Sequence, residues 1–212
     1  MKLLRLGDLG KEKPAIVDKD GNYRDLSSLI DDFNPDTLNF DTIKKIKNTD
    51  ILSLTKLDSK LRVGACVSKP SKFIGIGLNF KDHAAEQNLP IPKEPIIFSK
   101  FTSCITGPND PIIIPKGSDH TDWEVELGFV IGKKAINVNI DEALDYVLGF
   151  FLVNDVSERN FQKNKGLTWD KGKGFDTFGP IGPYIVTKDE LPDFQKLNMS
   201  LDVDGKRMQT GN

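Results

Sequence analysis

The chain has little cysteine and little histidine: two residues of each among 212. Cys66 and Cys104 lie far apart, which excludes a zinc motif and a disulfide framework and fits two reduced thiols in a cytosolic protein. No apolar run approaches the roughly 20 residues that a membrane helix needs. The N-terminus, Met1 to Leu6, is interrupted at once by Gly7 and Asp8, so it does not read as a signal peptide. Clustered basic residues are also missing. Lysine and arginine total 29 against 31 aspartates and glutamates, scattered among one another, which argues against a nucleic-acid surface. There is no internal repeat and no low-complexity segment. A soluble, cytoplasmic protein with no membrane and no nucleic-acid partner is expected. Its length fits one substantial domain plus a small appendage. Such a chain buries roughly 70% of the surface it would expose unfolded, and needs no disulfide or structural metal to fold.

What is present divides near residue 68. Residues 2–6, 15–17 and 23–26 read as short strands, with a turn at Asp20-Gly21-Asn22. A helix-like pattern starts at Asp25, and a second short helix spans 40–46 with Asp41 as its cap. Residues 1–68 are expected to form a small β-rich domain without catalytic groups. From residue 69 to 212 a larger domain is expected. Phe73 to Leu78 reads as a buried strand laced with glycine. Asn79 would cap a helix over 80–88, which Pro90 and Pro92 end. Further strands are expected at 95–99, 112–114, 122–131, 147–153, 184–186 and 197–203. Short helices are expected at 141–146 and 157–163, and a glycine-rich loop at 172–182. The class is α+β with β dominant.

Carboxylates carry the first chemical signal. Asp122-Trp123-Glu124-Val125-Glu126-Leu127 alternates strictly, so Glu124 and Glu126 would lie about 7 Å apart on one face of a strand. That spacing suits one cation held between them; the plain alternative is the solvated face of an antiparallel strand. Asp155 follows the apolar run 147–153, where a carboxylate needs a partner. Alone, Asp155 reads as a strand-end cap or turn residue; with Glu124 and Glu126 it would form an all-oxygen set that selects a hard cation: Mg2+, with Mn2+ or Ca2+ as substitutes.

His83 and Glu86 are three apart on the expected helix, so they share a face. They form either a general base held in one tautomer or an ordinary surface pair. His120 sits in the Gly117-Ser118-Asp119 loop and reads as a solvated residue. Arg159 and Gln162 share a helix face. Lys173 lies between two glycines that let backbone approach a ligand closely. Lys173 would pair with a substrate carboxylate or, as a catalytic group, a developing oxyanion; the plain alternative for each cation is a solvated charge.

Taken in order, several segments resemble the motifs of the fumarylacetoacetate hydrolase family. They are Gly77-Leu78-Asn79-Phe80-Lys81-Asp82-His83-Ala84-Ala85-Glu86, Glu94 to Lys100, Asp122 to Gly128, Asn154 to Arg159, and Lys171 to Pro180. The resemblance runs from about Phe73 to the end of the chain. It implies a mixed β-roll, usually dimeric. It implies Mg2+ or Mn2+ on Glu124, Glu126 and Asp155, and a His83–Glu86 dyad on a helix that often acts as a lid. It implies substrate contacts from Arg159, Gln162 and Lys173. Family members continue beyond the position of Asn212, so a further C-terminal part is expected. The activity implied is hydrolysis of a C–C bond in small 1,3-diketo acids, acylpyruvates or 2,4-diketo-3-deoxy acids. The alternatives are an isomerase, tautomerase or decarboxylase using the same metal, and an inert relative serving as a scaffold.

Overall fold

Lys2 to Leu6 is a short, mostly apolar run bounded by Gly7, and it forms strand β1 (Lys2–Leu6) with its last four residues buried. The computed structural model describes residues 1–166 and 168–212. Strands β2 (Lys13–Val17) and β3 (Tyr23–Asp25) follow as antiparallel neighbours. Their turn is fixed by Asp18, whose carboxylate accepts the N–H groups of Asp20 and Asn22, and by Gly21 at φ +82°. Helix α1 (Phe40–Lys47) buries Ile43 and Ile46. Asn39 caps it, not Asp41, by accepting the N–H of Thr42. The helix-like stretch after Asp25 makes only turns.

Strands β4 (Phe73–Gly77) and β5 (Ile96–Lys100) pair as a two-stranded ribbon, and α2 (Lys81–Glu86) lies between them in sequence. The ribbon is not buried as expected, since Ile74 and Ile97 are more than half exposed. Then come β6 (Ile105–Thr106), β7 (Thr121–Asp122), β8 (Val125–Ile131), β9 (Val147–Asn154) and β10 (Ser157–Glu158). Helices α3 (Arg159–Lys163) and α4 (Asp170–Lys173) precede β11 (Gly179–Thr187), β12 (Met199–Val203) and β13 (Lys206–Gly211).

The main sheet has the order β3-β2-β1-β11-β9-β8, with β6 added to β11 in parallel. The fold is thus α+β with β dominant, and its sheet is mixed. The N-terminal strands belong to the sheet that carries the site, because β1 pairs antiparallel with β11. The main core packs Leu3, Ile16 and Phe33 against Phe151, Ile181 and Ile185. That core draws residues from both sides of position 68. Among the described residues, no helix is long and apolar enough to cross a membrane.

Candidate active site

The expected single strand over 122–131 is broken. β7 ends at Asp122 and β8 begins at Val125, leaving Trp123 and Glu124 between them. Asn154 explains the break, because its side-chain oxygen takes the N–H of Glu124 at 3.1 Å in place of a strand partner. The Glu124 carbonyl in turn accepts the N–H of Asp155 at 2.8 Å. Two carboxylates are thus tied together through backbone. Glu126 lies in β8 opposite Val153 of β9 and faces the same cavity as Glu124.

Three cations surround these acids. Lys173, on α4, is buried and places Nζ 2.7 Å from Glu124 Oε2 and 2.8 Å from Asp155 Oδ2. The same Nζ lies 5.1 Å from the centre of the Phe98 ring. Lys100, on β5, is buried and lies 2.7 Å from Asp155 Oδ1. Arg159 binds Asp122 Oδ2 through Nε at 2.8 Å and reaches Glu124 Oε1 at 2.6 Å and Gln162 Oε1 at 3.1 Å. The solvated-charge reading therefore fails for Lys173 and Arg159.

The charges do not balance. Asp122, Glu124, Glu126 and Asp155 face Lys100, Arg159 and Lys173, four acids against three cations. Among the described residues, Glu126 is the acid of this group without a cationic partner. Burial pushes it up to about 7, helped by Glu124 and Asp155 nearby and opposed by a hydrogen bond from Asn79. Burial opposes ionisation of Asp155 as well, but Lys100 and Lys173 outweigh it and hold that carboxyl below its ordinary value. Asp155 Oδ1 has no aligned hydrogen bond although Lys100 is near, so a buried lone pair stays open. A hard divalent cation fits this donor set. It would neutralise the excess charge at Glu126.

His83 and Glu86 are on α2, with Nδ1 and Oε2 3.5 Å apart, and both line a cavity of about 700 Å³ that also reaches Glu124, Glu126 and Lys173. The structure thus brings His83, Glu86, Glu124, Glu126, Arg159, Gln162 and Lys173 to one cavity, with Asp155 held behind by its two lysines. Asn79 does not cap α2. Its amide donates to Glu126 Oε2 at 2.9 Å, and Phe80 holds the N-cap position without a side-chain cap.

Sequence reasoning gave no role to Lys100, Asp122 or Glu158. Glu158 is fully buried because it caps α3, accepting the N–H of Phe161, and also takes the N–H of His120. With Asp119 and His120 it makes the one group of three among the described residues whose donor atoms lie within 4.8 Å of one another. His120 and Asp119 are exposed and pair at 3.0 Å, which raises the imidazole above its ordinary value. Both Glu158 oxygens already hold backbone N–H groups, whereas the Glu124 and Asp155 oxygens face ammonium and guanidinium groups and, with Glu126, do not all lie within 4.8 Å of one another.

Comparison with known proteins adds the following. The family model for the fumarylacetoacetate (FAA) hydrolase C-terminal region matches residues 72–212. A Burkholderia lata protein with the provisional name of hydrolase is 56% identical over 212 residues, covering all of this chain and 75% of that protein. The fumarylacetoacetate hydrolase of Exiguobacterium antarcticum is 27% identical with a TM-score of 0.82, over all of this chain and 75% of that one. The 5-carboxymethyl-2-hydroxymuconate delta-isomerase of Mycobacterium smegmatis is 28% identical with a TM-score of 0.75, over the same shares.

Proposed function

This chain belongs to the fumarylacetoacetate hydrolase family, a family of enzymes, and on that premise we propose that it is a metal-dependent hydrolase of small 1,3-diketo acids. Acylpyruvates and 2,4-diketo-3-deoxy acids are the substrate classes, and the working form is a homodimer. The observation that carries the reading is one cavity holding an acid excess at Glu126 opposite a histidine–carboxylate pair.

Glu124, Glu126 and Asp155 would hold Mg2+, or Mn2+ or Ca2+ in its place, as hard oxygen donors. When bound, the cation supplies Lewis-acid stabilisation of negative charge on the substrate's oxygens. His83, steadied by Glu86, takes a proton from water. The freed hydroxide oxygen bonds to the distal carbonyl carbon, and the carbonyl electron pair moves onto its own oxygen. Lys173 and Arg159 balance that charge from the cavity wall. The C–C bond then breaks, and its electron pair leaves with the 2-oxo acid fragment as an enolate. That carbon takes up the proton, giving a carboxylic acid and a 2-oxo acid.

His83→Ala is expected to lower kcat by at least about 100-fold, the range for a positioned acid–base group. Mg2+ affinity measured by calorimetry should not change. Full turnover in that variant would sink the assignment. A second reading, isomerisation of a related 2-hydroxy-diene acid, is favoured by the isomerase neighbour. It needs only proton transfer by His83, and would give a spectral shift without a carboxylic acid product.

A further inference from the structure

Lys100 is the least exposed lysine that the cavity does not use. It stands on β5, is 2% exposed, and is absent from the cavity lining. Burying an ammonium is expensive unless its charge and its donors are met. Here the charge meets a carboxylate and two donors meet carbonyls. Nζ lies 2.7 Å from Asp155 Oδ1 and 3.3 Å from the carbonyl of Val156, and it donates to the carbonyl of Lys173. One ammonium therefore grips the side chain of Asp155, the residue after it, and the backbone of the residue that carries the other ammonium. Phe98, two residues before Lys100 on the same strand, lies under the Lys173 side chain. The β4–β5 ribbon is not hydrogen-bonded into the main sheet, so Lys100 is also a polar tie between the ribbon and the end of β9.

We propose that Lys100 is a positioning residue that fixes Asp155 from behind and anchors the carbonyl of Lys173, and so sets Lys173 in the cavity lining with Asp155 directly behind it. This inference rests on the reading of Asp155 as a metal ligand. Groups behind a ligating carboxylate orient it, and their loss typically weakens metal binding about 10–100-fold. Simple repulsion makes the opposite forecast. If Lys100 acted only as a neighbouring positive charge, removing it would tighten the binding of a second cation. The two roles differ in sign.

The test compares Lys100→Met with the native protein, titrating each with Mg2+ by calorimetry. Binding at least tenfold weaker in Lys100→Met, with a cooperative melt retained, is the expected result. Unchanged or tighter binding overturns the inference. Absence of Mg2+ binding by the native protein would instead remove the metal reading itself, so the two failures are distinguishable. Lys100→Met alone leaves Asp155 buried with one lysine fewer and can fail to fold. A thermal-melt cycle with Asp155→Asn covers that case. If Lys100 serves Asp155, the double variant Lys100→Met/Asp155→Asn melts higher than Lys100→Met. If the double variant melts no higher than Lys100→Met, Lys100 is a packing residue and the proposal falls.

Discussion

Glu126 is where the metal reading is most exposed to test. It is the acid of the cluster without a cation, and burial with like charge nearby drives it toward the neutral form. An amide at this position needs no counter-ion. Glu126→Gln is therefore expected to keep or raise the melting temperature of the metal-free protein while weakening Mg2+ binding at least about tenfold. Differential scanning fluorimetry and calorimetry give the two readouts; unchanged Mg2+ affinity would count against the site. Alternation in the sequence put Glu124 and Glu126 on one face, and both line one cavity; the end of an apolar run pointed to a partner for Asp155, and two lysines supply it. Alternation could not reveal how Glu124 is placed, because that depends on Asn154 capturing its N–H from another strand. Nothing local marks Lys100 as buried, since its acceptors lie 55 or more positions away in sequence.

Among the elements, the β4–β5 ribbon has the tightest tolerance. A Cβ on Gly77 would fall 2.2 Å from Trp169 Cζ3, and Trp169 itself lies 5.5 Å from Phe98 with the rings tilted. Gly77 is thus a point of close approach. Gly77→Ala should push the indole into the cavity and cost about 1–3 kcal/mol, as overpacking does. Urea denaturation would show it, with a raised KM alongside; a neutral result would mean the indole has free room. Other elements were misjudged for stated reasons. Residues 25–30 have helical spacing, but Asp25 captures the N–H of Ser27 and turns the chain. Residues 112–114 have strand composition, yet the N–H of Ile113 goes to Thr177 Oγ1 and not to a strand. Asn79 has the chemistry of a cap, but its amide serves Glu126. Composition states what a residue can bond; the partner that wins is set by the tertiary structure.

At the scale of the whole molecule, an ionic chain ties the first 68 residues to the rest. Arg5 pairs with Asp32 and Glu12, and Arg62 pairs with Glu12 and Asp110. The Arg62 guanidinium beside Asp110 holds that carboxyl down at about 2. A depressed acid contributes stability above its unfolded pKa of about 3.9 and loses it as pH falls through the folded value. Native protein should therefore melt higher than Asp110→Asn at pH 5, and the gap should close between about pH 4 and pH 2. A gap independent of pH would assign Asp110 a packing role instead. The β-dominant class was readable from many short strands and turn residues. The joining of β1 to β11 was not, because strand partners more than 180 positions apart leave no trace in local pattern.

Metal-dependent cleavage is the central claim, and one experiment reaches it most directly. The protein is titrated with Mg2+ by calorimetry, then acylpyruvates and 2,4-diketo-3-deoxy acids are followed by their diketo-enol absorbance with and without the cation. The account predicts saturable binding, and absorbance loss only with Mg2+, matched by release of pyruvate or another 2-oxo acid. No Mg2+ binding, or absorbance loss at the same rate in its absence, would contradict it.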